Sequence, residues 1–151
     1  MADKTSENFA AVHEDGLPRG YEAKIRRIIR RDPRYAYEAY LFVFDALEYT
    51  QRMVIQTRRP QGPIFHVSGR ELLEGIRRMA IKQFGLMAKT VFENWGVRCT
   101  EDFGRIVFNL VDGGLMRKTE SDTIEDFKDV YDFAAAFDGE AQQRRAWHLH
   151  E

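Results

Sequence analysis

Residues 92–119, FENWGVRCTEDFGRIVFNLVDGGLMRKT, decide the fold class. A helix stops at Trp95-Gly96, because glycine takes the left-handed backbone that ends a helix at little cost. Val97 is a small apolar plug in the turn that follows. Thr100 opens a second helix, with Glu101 and Asp102 in its first turn, where carboxylates suit the positive end of the helix dipole. Phe103, Ile106, Val107, Leu110 and Val111 then recur at helical spacing and give the clearest apolar stripe in the chain. Gly113-Gly114 closes this helix. Residues 115–119 read as a strand, and residues 120–123 as a turn. Helix, tight turn, helix and strand together predict a helix-turn-helix with the start of a β-wing, a winged-helix-like part spanning about 68–137.

Upstream, Ile25, Ile28 and Ile29 set a stripe over residues 22–31, with Lys24, Arg26, Arg27, Arg30 and Arg31 on the other faces. Asp32-Pro33 reads as an N-cap with proline at the first helical position. The helix it opens runs to about Gln56, with Tyr37, Tyr40, Leu41, Phe44 and Leu47 inward. Prolines and a glycine make residues 57–64 a loop. Ser68 and Glu71 form a capping box for a helix that presents Leu72, Ile76, Met79, Ala80 and Phe84 and ends at Gly85 in a left-handed cap. A short helix over 86–94 carries Met87, Val91 and Trp95 on one side. Residues 124–137 read as helix, although their aromatic and β-branched content also fits a second wing strand. The predicted fold is mainly α: N-terminal helices packed on the winged-helix-like half, one domain over 21–137. Residues 1–20 and 138–151 read as polar tails.

The single cysteine, Cys99, cannot form an internal disulfide, which suits a reducing compartment and predicts a cytoplasmic protein. The N-terminal residues lack a basic segment followed by an apolar run, so no signal peptide is expected. No apolar run approaches the ~18 residues that span a bilayer, so no membrane partner is expected. The net charge of −1 gives no bulk attraction to nucleic acid. That total hides an asymmetry. Residues 19–59 carry ten basic and five acidic side chains, whereas residues 99–140 carry eleven acidic and four basic ones. Either the two halves face each other, in the fold or in a symmetric dimer, or the basic half meets a polyanion.

The segments EAYLFVFDALEYT, HVSGRELLEGIR, QFGLMAKTVFENWGV, TEDFGRIVFNLV and DFKDVYDFAAAF resemble an uncharacterised bacterial family of planctomycete and verrucomicrobium type, of about this length. The resemblance covers about residues 20–137. It implies a bacterial cytoplasmic protein and supplies no catalytic or binding residue.

A DNA-reading helix-turn-helix needs cations for phosphates and side chains that reach base edges. Arg98, Thr100, Arg105, Arg117 and Lys118 are the candidates here, with Asn109 late in the helix. Glu101, Asp102, Glu120 and Asp122 oppose them. Arg26, Arg27, Arg30 and Arg31 form a basic face that can meet a protein partner; the ordinary use of such a helix is a surface element held by its isoleucines. His66, just before the Ser68 cap, is a candidate general base or ligand-site residue, but no second ligand lies at metal spacing, so no metal or cofactor is implied. His13, His148 and His150 sit in the tails. Cys99 precedes a helix N-terminus, where the dipole favours thiolate, yet Glu101 and Asp102 favour the thiol. No dinucleotide, phosphate-loop, nucleophile-elbow or HExxH signature occurs, and the expectation is a protein without enzymatic activity. The reading that follows is a binding module for a protein partner or a second copy, working through the basic helix and the acidic 120–132 segment. The alternatives are a DNA-binding winged-helix regulator, and an enzyme or small-ligand protein with a site near His66.

Overall fold

The computed structural model describes residues 18–57 and 66–137. The expected tails, with His13, His148 and His150, and the expected loop beyond Thr57 lie outside the described residues. The helices are α1 (Tyr21–Arg31), α2 (Tyr37–Thr57), α3 (Gly69–Phe84), α4 (Ala88–Asn94), α5 (Thr100–Asp112) and the short α6 (Phe133–Phe137). Turns of 3₁₀ helix occupy Gly85–Met87 and Ile124–Phe127. A mainly α fold is therefore correct.

The wing is not. No strand forms among the described residues, and residues 115–119 are irregular. Residues 124–137 form neither one helix nor a strand. A capping box between Thr123 and Asp126 starts the 3₁₀ turn at Ile124–Phe127, and the chain then turns at 128–130, with Asp129 at φ 49°, before α6. The Thr100 hydroxyl donates to the Phe127 carbonyl at 2.6 Å and accepts the Val130 N–H at 3.2 Å. Backbone groups that a ladder would use are thus committed to a side chain on α5. Without those ladder bonds a strand has nothing to pair with.

Helix α2 is the central element. It begins at Tyr37 rather than after Asp32-Pro33, because the Asp32 carboxylate is engaged by the guanidinium and N–H of Arg34 instead of capping a helix. The expected residues Tyr40, Phe44 and Leu47 are buried, but so are Ala39, Phe42, Val43, Ala46, Thr50 and Val54. A helix apolar nearly all round is a core helix, which a single-stripe reading underestimates. Helix α3 packs against it. Ser68 caps α3 as expected, accepting the Glu71 N–H at 3.1 Å while the Glu71 carboxylate accepts the Ser68 N–H at 2.9 Å. Gly85 does end α3 with positive φ, but its ψ of −125° lies outside the left-handed helical region. In α4 the buried side carries Ala88 and Phe92, while Met87 is exposed, so the expected face was misassigned. In α1, Ile25 and Ile28 are buried as the stripe predicts.

The α2–α3 contact is close because Gly75 faces Thr50. A Cβ at position 75 would collide with the Thr50 hydroxyl and approach its Cβ to 2.9 Å. Alanine is the better helix former by about 1 kcal/mol, so steric overlap and propensity oppose each other here. Overlap in a packed core costs about 1–3 kcal/mol, and it wins. Gly75→Ala is therefore expected to lower stability in urea unfolding, and Thr50→Ala in the same chain to restore part of the loss. A Gly75→Ala protein as stable as the parent would show that the two helices are free to separate.

Candidate functional site

The turn between α4 and α5 is built as the sequence implies. The Val97 N–H donates to the Phe92 carbonyl at 2.8 Å and the Gly96 N–H to Glu93 at 3.0 Å, the paired bonds of a Schellman ending. Gly96 has φ 87°, and a Cβ there would strike the Arg34 carbonyl oxygen. The same ending closes α5, where the Leu115 N–H reaches the Leu110 carbonyl at 2.9 Å and Gly114 reaches Val111 at 3.0 Å. Both helix stops were legible because glycine is the residue that a positive φ selects.

Asp102 organises this turn. Its carboxylate accepts the Tyr35 hydroxyl at 2.6 Å, the Arg98 N–H at 2.9 Å and an Arg105 guanidinium N–H at 2.9 Å, with the Cys99 thiol at 3.5 Å. Burial works against the charged carboxylate, but these hydrogen bonds outweigh it and hold its pKa below the usual range. Tyr35 responds in the opposite sense: burial, then the Asp102 charge, pushes its phenol well up. Asp32 forms a second knot. It binds Arg34, which holds its carboxyl far below the usual range, and it accepts Asn109 Nδ2 at 2.9 Å; the same amide donates to the Tyr40 hydroxyl at 3.1 Å. The 32–36 segment is thereby tied to α5 and, through the Ala36 N–H to the Trp95 carbonyl at 3.0 Å, to the turn.

These bonds decide which of the proposed nucleic-acid contacts face outward. Thr100 is 1% exposed and its hydroxyl is spent on Phe127 and Val130, so it has no face for a base. Arg105 is held by Asp102 and by Glu101 at 3.2 Å. Asn109 faces Asp32 and Tyr40. Arg98, Arg117 and Lys118 are exposed, but Arg117 and Lys118 lie beside the His66 end of α3 rather than on a wing. Cys99 is exposed, and partial burial of the sulfur, with the nearby Asp102 charge, raises its thiol pKa, which suits no nucleophile.

His66 and Cys99 do not converge. His66 instead meets a carboxylate that spacing did not pair with it: its Nε2 lies 2.9 Å from Asp122 Oδ2. Asp122 also accepts the Thr119 N–H at 2.7 Å and the Thr119 hydroxyl at 3.1 Å. Among the described residues no group of three or more His, Cys, Asp or Glu is placed to hold a metal ion.

The basic face is the clearest surface feature. Lys24, Arg27, Arg30 and Arg31 are exposed, and no carboxylate pairs with them among the described residues. Arg26 differs, since it binds Glu22 at 3.1 Å and lies 4.8 Å from the centre of the Tyr37 ring. Several other arginines are paired with near neighbours: Arg34 with Asp32, Arg52 with Glu48, Arg77 and Arg78 with Glu74; Arg70, Arg98 and Arg117 have no ion pair among the described residues. Among the described residues no ion pair joins the basic N-terminal half to the acidic C-terminal half. No helix among the described residues is long and apolar enough to cross a membrane.

Asp102, Asp32, Asp122 and Glu74 all have depressed pKa values in the fold. A depressed carboxylate stabilises the fold above its unfolded pKa of about 4, and that contribution is lost as pH falls through the folded value. Asp45, raised by burial and by Glu48, has the opposite sign. Stability in urea is expected to fall from about pH 5 downward, and Asp102→Asn to be less stable at neutral pH with a shallower acid decline. An unchanged decline in that variant would remove Asp102 from the account. Thr100→Val, which strands the Phe127 carbonyl and Val130 N–H, is expected to cost about 1–3 kcal/mol. It should also speed amide exchange over residues 124–137 more than over α3.

Comparison with known protein families, with curated proteins and with solved structures gives no match to this chain.

Proposed function

We propose that this protein is a non-enzymatic binding module that docks an acidic surface of a protein partner on the exposed face of α1. The supporting observation is a contrast within one small fold: Lys24, Arg27, Arg30 and Arg31 form no ion pair among the described residues, while Arg52 of α2 and Arg77 and Arg78 of α3 are paired within about one helical turn. Like charges held this close repel one another, and a complementary surface relieves that repulsion. Ile25 and Ile28 fix the helix on the core, so the cations are presented on a rigid element.

The groove beside this face favours a protein over a polynucleotide. It is a cavity of about 260 Å³, lined by Lys24, Arg27, Ile28 and Arg31 on one side and by Asp112 and Gly113 on the other. Asp112 and the negative C-terminal end of α5 sit among the cations. A partner of mixed charge can match that pattern, whereas a continuous phosphate backbone meets repulsion along one edge. The winged-helix regulator is a weaker reading, since it needs Thr100 and Arg105 free.

Arg27→Glu, Arg30→Glu and Arg31→Glu alter exposed side chains and are expected to leave the fold intact, which helical circular dichroism checks. Combined, they are expected to weaken partner capture from an extract of expressing cells by about tenfold or more, with capture by the parent protein resistant to nuclease and reduced by salt. Equal capture by the reversed and parent chains would overturn this assignment. So would recovery of nucleic acid whose loss on nuclease treatment removes everything else bound. Sedimentation of the protein alone decides whether the acidic surface belongs to a second copy.

A further inference from the structure

A second cavity, of about 180 Å³, opens between α2, the start of α3, α5 and the chain after α5. Its inner wall is apolar: Leu72, Val107, Met116 and Phe127 are buried there, and Phe108 stands beside them. The opposite end is polar and carries His66, Asp122, Arg117 and Lys118. The Asp122 carboxylate is already occupied by His66 and by the N–H and hydroxyl of Thr119. Arg117 and Lys118 are exposed and have no carboxylate partner among the described residues. One end therefore sets the two cations Arg117 and Lys118 against the single carboxylate of Asp122, which is turned to His66 and Thr119, and the other offers dry surface. Ser68 and Gly69, at the start of α3, line the same space, with the Glu71 carboxylate capping that helix end.

We infer that this cavity binds a small monocarboxylate with a compact apolar body. The body lies against Leu72, Val107 and Phe108, and the carboxylate faces Lys118 and Arg117 at the His66 end. Size limits the body to about one ring or a branched chain, since a cavity of about 150 Å³ lined by apolar side chains accommodates benzene. The charge sets the head: a carboxylate gains charge-assisted hydrogen bonds from Arg and Lys that its amide cannot. The site is separate from the α1 face, and the inference does not rest on the protein-partner reading.

The test is a titration of the isotope-labelled full chain with phenylacetate and isovalerate, against their amides and against acetate, read by backbone and methyl chemical shifts. Saturable shifts confined to residues around His66, Val107, Phe108 and Lys118 are expected for at least one carboxylate. Its amide, and acetate, should bind about tenfold more weakly or less. Arg117→Ala with Lys118→Ala, both exposed, should weaken the carboxylate by about tenfold and leave the amide unchanged. Val107→Trp should fill the space and remove binding of either. Absence of saturable shifts with both carboxylates overturns the inference, as does an amide that binds as tightly as its acid. Shifts centred on another surface, or carboxylate affinity that survives loss of both cations, do so too.

Discussion

The ring of Phe92 is fully buried and packs among Phe42, Phe84, Trp95, Phe103, Phe133 and Phe137, with centroids 5.1–6.2 Å away. These rings come from α2, α3, the α4–α5 turn, α5 and α6, so one side chain holds elements that are far apart in sequence. Several meet edge to face, the geometry in which ring quadrupoles attract. The Phe92 carbonyl also accepts the Val97 N–H that ends α4. The residue that centres the core thus also fixes where the turn begins, and the direction of α5 follows from both. Everything that Asp102 and Thr100 tie together depends on that direction.

Along α5 the bonds form in order. Asp102, in the first turn, gathers Tyr35 and the turn backbone. Thr100, just before it, holds Phe127 and Val130. Gly104 lets the Phe127 side chain lie directly on the helix, since a Cβ there would sit 2.7 Å from it. Asn109, two turns on, reaches Asp32. The helix that a DNA-binding module would lay in a groove is here the anchor for the two segments flanking it. The polar groups that such a module would offer to bases are mostly committed inward. What remains for recognition is the rim: the α1 cations on one side, and Arg117 and Lys118 beside the His66 cavity on the other.

The candidate surfaces were legible to different degrees. The α1 face could be read from the arginines between isoleucines, because helical spacing alone separates the two faces. The distinction between Arg26, held by Glu22 and Tyr37, and its unpaired neighbours needed coordinates. His66 stood out in the sequence, but its partner Asp122 did not, since no helical or strand period relates the two positions. A ligand site near His66 was one alternative reading, but the walls of the cavity were not legible, because Val107 read as part of the α5 core stripe.

The sequence by itself determined the order of the main helices and the stops of those that end at glycine, but not the start of α2 or the course of residues 124–137. Glycine at 96 and 114, the Ser68–Glu71 box and the apolar periods of α1, α3 and α5 act over four residues or fewer, and no distant contact is required to satisfy them. The tertiary structure alone decided the course of residues 115–132, the inward burial of Thr100 and the burial of most of the α2 surface, whose exposed stripe is left to Glu38, Asp45 and Arg52. A segment with aromatic and β-branched residues becomes a strand only if another strand takes its N–H and C=O groups. Here Thr100 takes two of them across 27 and 30 positions of chain, and Tyr35 reaches Asp102 across 67. Separations of that size leave no periodic trace in a sequence; they exist only once the rings around Phe92 have brought the helices together.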